Sequence, residues 1–137
     1  MKIEINPQDT LRGKAFELWI SSPMPMVTLT KTFDVSRLLK MSKKFGVGFN
    51  ALLCWCIGKA ANQLEEFYLL PEQGKLYKYD RLAINVIVKN IKGGINSCDI
   101  PFDVDLKQFF EVYKRMTGQV ASECKSSFLD DYMVVGT

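Results

Sequence analysis

Two strand-like runs, Leu82–Ile91 and Ile95–Phe102, are separated only by Lys92-Gly93-Gly94. Glycine supplies the positive φ that a tight connection needs, so this spacing predicts a β-hairpin. The residues that follow change period. From Asp103 or Asp105 onward, Leu106, Phe109, Phe110, Tyr113, Val120, Cys124 and Phe128 fall at helical spacing. An antiparallel pair followed by a long apolar-striped helix constrains the chain to a sheet with helices packed on it.

The remaining elements fit that frame. Met26–Phe33 (MVTLTKTF) reads as a strand, with Val27, Leu29 and Phe33 on one face and Thr28, Thr30 and Thr32 on the other. Asp34 is placed to cap a short helix striped by Val35, Leu38, Leu39 and Phe45. Lys40, Lys43 and Lys44 suit the negative end of that helix, and Gly46 stops it. A second helix is expected over 49–69, its first half apolar nearly all round and therefore buried on several sides. Pro71–Gly74 reads as a turn, Lys75–Asp80 as a strand, and Tyr132–Val135 as a last strand. The expected fold is an α/β (α+β) two-layer sandwich, with a mixed, largely antiparallel sheet and helices on one face. No repeat or linker divides residues 1–137, so one domain is expected.

Composition narrows function by exclusion. A net charge of +3 over 137 residues, with scattered lysines, does not make a nucleic-acid footprint. Ala51–Ile57 is the longest apolar run and is too short to span a bilayer. Met1–Thr10 is polar and mixed in charge, unlike a signal peptide. Cys54, Cys56, Cys98 and Cys124 lack metal-ligand spacing and read as free thiols in a reducing cytoplasm.

There is no histidine. That excludes Ser-His and Cys-His nucleophile pairs, Cys₂His₂ zinc sites and His-Glu-x-x-His metallohydrolases. The adjacent carboxylates Glu65-Glu66 and Asp130-Asp131 point in different directions and read as solvated charge. Gly46–Gly48 lacks the preceding strand and third glycine of a dinucleotide loop. No catalytic residue and no metal ligand is assigned. One segment has a second reading: Trp19–Met26 (WISSPMPM) is either a cover for the core or the wall of a small-molecule pocket or subunit interface.

Read in order, the chain resembles the N-terminal part of the chloramphenicol acetyltransferases. The resemblance lies in Arg12 with Phe16-Glu17-Leu18-Trp19, in Leu29-Thr30-Lys31-Thr32-Phe33-Asp34-Val35, and in Ala60, Asn62 and Glu66-Phe67. Gly74-Lys75-Leu76 with Tyr79-Asp80, and Asp105-Leu106-Lys107-Gln108-Phe109, continue it collinearly. It covers about Arg12 to Thr137.

The resemblance implies a trimeric, cytoplasmic enzyme that moves an acetyl group from acetyl-CoA to a hydroxyl of a small molecule such as chloramphenicol. In that family a His-His-x-x-x-Asp-Gly histidine takes the hydroxyl proton and a serine steadies the oxyanion. The acceptor-pocket wall would fall on Leu18, Trp19, Pro23, Pro25 and Val27, with Ile95 on a later strand. Val27 and Pro25 depart from the aromatic and the small residue usual there, which argues for another acceptor. Arg12 would pair with the Asp of the histidine motif, and that motif is absent. The expectation is therefore an incomplete domain that carries the pocket wall, lacks the base and is inactive alone, with no tightly bound cofactor. The alternative is a non-catalytic ligand-binding or oligomerisation module derived from the same fold.

Overall fold

A computed structural model describes all 137 residues, Met1–Thr137. The chain folds as mixed α+β around two three-stranded sheets. Strand β1 (Lys2–Ile5) is followed by a 3₁₀ turn at Pro7–Asp9 and helix α1 (Gly13–Ile20). Helices α2 (Ser36–Phe45) and α3 (Phe49–Ala61) come next, then a 3₁₀ turn at Glu65–Tyr68. Strands β2 (Leu69–Glu72), β3 (Lys75–Tyr79), β4 (Leu82–Lys89) and β5 (Ile95–Pro101) lead into helix α4 (Leu106–Glu123) and strand β6 (Met133–Gly136).

The first sheet has the order β1-β3-β2, antiparallel throughout. A two-residue connection joins β2 to β3, with Gln73 at φ 51° and Gly74 at φ 81°, as a hairpin of this length requires. Strand β1 is short and mostly exposed, so its sequence carries no burial alternation to mark it. Tertiary pairing makes it a strand, assisted by ion pairs from Lys75 to Glu4 (2.7 Å) and from the Met1 amino group to Asp80 (2.6 Å).

The second sheet has the order β5-β4-β6; β4 and β5 form the expected antiparallel hairpin, while β6 runs parallel to β4. Gly93 turns that hairpin at φ 82°. Helices α3 and α4 cover one face. The core there is Cys54, Ile84, Val86, Cys98, Ile100, Phe109 and Val120. Phe109 is its centre, with the rings of Phe102, Phe110 and Tyr113 tilted against it at 6.0–6.3 Å. Asp105 caps α4 by accepting from the Gln108 N–H at 2.9 Å. Gly46 ends α2 in the left-handed conformation, φ 65°.

Beyond α4 the chain returns along the outer edge of β5. Ser127 donates its N–H to the Ser97 carbonyl and accepts the N–H of Asp99 at its own carbonyl. The buried Asp99 carboxylate accepts from the Leu129 N–H at 3.0 Å and from the Asn85 amide at 2.6 Å. Both carboxylate oxygens are thus satisfied, as a buried charge requires.

Several expected elements differ. Helix α4 ends at Glu123, short of the Phe128 expected on its stripe, and the turn expected at Pro71–Gly74 is confined to Gln73 and Gly74 because Pro71 and Glu72 belong to β2. The helix expected over 49–69 ends at Ala61; a 3₁₀ turn follows at Glu65–Tyr68, and Leu69–Glu72 is taken into β2, where Pro71 sits on an edge strand. The strand expected over Met26–Phe33 does not form. Residues 25–35 carry no helix, strand, turn or bend. Strand propensity is realised only against a neighbouring strand, and none lies beside this stretch.

Candidate functional site

Helix α1 builds one wall of a cavity of about 590 Å³. Arg12, Ala15, Phe16, Trp19 and Ile20 recur at helical spacing, so one face of the helix presents all five to the same space. Gly13 lets the helix dock against the preceding turn: a Cβ there would sit 2.7 Å from the Pro7 carbonyl oxygen. The Gln8 side chain also bonds Glu17, which faces away from the cavity. The opposite wall is Glu66 from the 3₁₀ turn, Leu69 and Pro71 from β2, and Leu76 from β3. Pro25 and Val27 close the side formed by the irregular segment.

Seven of the eleven lining residues are hydrophobic, so the cavity favours an apolar or aromatic body. Arg12 and Glu66 are its charged groups, and neither forms an ion pair within the chain. Trp19 is 45% exposed, which leaves its ring face available to a ligand. No three His, Cys, Asp or Glu side chains gather where they could hold a metal ion.

The structure brings together Arg12, Trp19, Pro25 and Val27 of the residues that the sequence singled out. Leu18 and Pro23 stand outside the cavity: Leu18 lies off the lining face of α1 and is 67% exposed. Ile95 is on β5 in the other sheet, 72% exposed, and does not line this cavity. Glu66, Leu69, Pro71 and Leu76 were not assigned to a pocket from sequence. They arrive from more than forty residues downstream, through the β2–β3 hairpin, and no local pattern marks them. Thr137 lies outside the cavity. Its hydroxyl donates to the Asn85 carbonyl at 2.9 Å and sits 3.6 Å from the Cys54 sulfur.

No protein-family model matches the chain, and no curated protein sequence matches it. The fold does have solved relatives. A chloramphenicol acetyltransferase structure superposes with a TM-score of 0.77 at 19% sequence identity. The match covers 86% of this chain and 56% of that one, so this chain spans little more than half the neighbour's length. At that identity the likeness is one of fold.

Proposed function

We propose that this chain is the acceptor-binding part of an acetyltransferase fold and holds a small aromatic alcohol in the cavity beside Trp19. The observation that carries the proposal is the coincidence of Trp19, Pro25 and Val27 on one cavity wall, in a chain whose fold is similar to a chloramphenicol acetyltransferase. The resemblance assigns acceptor contact to those same residues. Phe16 and Trp19 offer aromatic surface to a ring, while Arg12 and Glu66 offer a donor and an acceptor for polar substituents.

Acetyl transfer needs a base for the hydroxyl proton. The chain has no histidine, and Glu66 is the cavity's only carboxylate. In the family that the chain resembles, a histidine serves as this base. We therefore expect binding of the alcohol without turnover of acetyl-CoA by the pure chain. The absence of a suitable base equally favours a second reading, a stand-alone binding module derived from this fold.

Tryptophan fluorescence tests the binding step. With Trp55→Phe as background, Trp19 is the single remaining tryptophan, and chloramphenicol or a simpler aryl alcohol should quench it saturably. Ligand at about a hundred times Kd should raise stability by about 2.7 kcal/mol in a thermal melt. Trp19→Ala should weaken binding about tenfold or more. No quenching and no thermal shift with any aryl alcohol would refute the proposed site. Thiol release from acetyl-CoA by the pure chain would refute the expectation of inactivity.

A further inference from the structure

The cavity wall on α1 is joined to the fold from one direction. Of residues 2–20 only Gly13 is buried, and α1 packs chiefly on the Pro7–Asp9 turn. Beyond Ile20 the chain is irregular, and Val27–Asp34 makes no backbone–backbone hydrogen bond. The joint between turn and helix, by contrast, is tight. The Asn6 side chain accepts the Gln8 N–H at 3.1 Å, and the Pro7 carbonyl accepts the N–H and hydroxyl of Thr10 at 3.1 and 2.8 Å. The Gly13 N–H donates to the Thr10 carbonyl at 3.3 Å, and Gln8 bonds Glu17 on the helix itself. Strand β1, the turn and α1 thus form one continuously bonded body.

That body is held at a sheet edge by a short ladder and by charge. Ile5 stands opposite Leu76, itself a cavity residue. Lys2 reaches Glu72 on β2 at 2.5 Å, and Lys75 on β3 reaches Glu4 at 2.7 Å. Both pairs are solvent-exposed and therefore screened by salt. A segment with so few buried apolar contacts opens at a lower free energy than the core. We propose that Lys2–Ile20 docks on β3 and leaves it as one unit, tethered by the irregular segment after Ile20, so that the cavity is complete only while β1 is paired. Undocking carries Arg12, Ala15, Phe16, Trp19 and Ile20 away from the facing wall. Lys2 and Glu4 are then positioning residues for a wall that they do not touch. The motion belongs to the wall itself and does not depend on the acceptor-binding reading.

Hydrogen exchange of the full chain tests the unit. The amides of β1 and those of Glu17–Ile20 in α1 should share one opening free energy, lower than that of β4 and α4. Both sets should quicken together in about 1 M salt, where the screening length falls to ~3 Å. Glu4→Gln combined with Glu72→Gln removes both ion pairs and should speed exchange in β1 and α1 alike about fivefold. The amides of β4 and α4 should keep their rates. Glu4→Lys sets a like charge against Lys75 and should speed both sets, whereas Glu4→Lys combined with Lys75→Glu re-forms the pair and should restore the parental rates. All these side chains are at the surface, so each variant is expected to fold, which circular dichroism checks. The proposal is overturned if β1 and α1 open at unrelated free energies, or if α1 amides ignore the Glu4 and Glu72 substitutions. A charge-swapped variant that fails to restore the α1 rates overturns it equally.

Discussion

Cys98 shows how a small side chain acquires a pH-dependent role from its place in the core. Burial pushes its thiol up from 9.0 to about 11, with the neighbouring Asp99 carboxylate acting in the same direction. Burial also raises Cys54 and Tyr113. These groups are held neutral in the fold and ionise more readily in the unfolded chain. The contribution of the two thiols is therefore complete below pH 9 and declines as pH rises above it, while that of Tyr113 declines only above pH 10. For Cys98 the loss is on the order of 2 kcal/mol. Urea unfolding at pH 8 and pH 10.5 should show the decline, and Cys98→Ala should reduce it. Two glycines in helix interiors, Gly58 and Gly118, make a second contrast. A Cβ on Gly58 would lie 2.3 Å from the Phe102 ring, whereas one on Gly118 meets nothing within 4 Å. Gly58→Ala should destabilise by about 1–3 kcal/mol through overpacking, and Gly118→Ala should stabilise by about 0.5–1 kcal/mol through helix propensity. Thermal or denaturant melts of the pair check both signs.

At the scale of elements, the start of α4 is set by one carboxylate. Asp105→Ala should cost about 1 kcal/mol in a denaturant titration, because the Gln108 N–H would lose its acceptor. This cap, the Gly93 turn and the Gly46 stop are local chemistry, and each was legible in the sequence. Strand β1 was not, since four mostly exposed residues carry no burial pattern. The Met26–Phe33 segment errs the other way: its alternation is strong, yet no neighbouring strand takes it up. Helix α3 stops at Ala61, and the last residue of the expected helix, Leu69, is instead paired with β3. Local signals succeeded where the controlling contact lies within a few residues. They failed where the contact is supplied, or withheld, by a distant strand.

For the whole molecule, the fold is similar to that of a chloramphenicol acetyltransferase over little more than half of that chain's length. No helix is long and apolar enough to cross a membrane. The candidate site follows the same division as the fold. Of the α1 wall, Trp19 alone was assigned to a pocket from the sequence, through the family resemblance; Arg12 was assigned a pairing role, and Ala15, Phe16 and Ile20 had no assignment. The facing wall of Glu66, Leu69, Pro71 and Leu76 became visible only when the β2–β3 hairpin folded against it. Phe109→Ala should test how far the molecule depends on the shared core under the second sheet. A loss of about 3–5 kcal/mol is expected, read as a drop in the denaturant midpoint. The sequence by itself determined the α+β class, the β4–β5 hairpin, the capped helix α4 and the lack of a histidine base, because these depend on residue type and short-range period. Only the tertiary structure decided which pocket residues meet, that Ile95 stands apart from them, and that Val27–Asp34 is left unpaired. Those outcomes depend on contacts between segments far apart in the chain, whose free energy resides in no single segment.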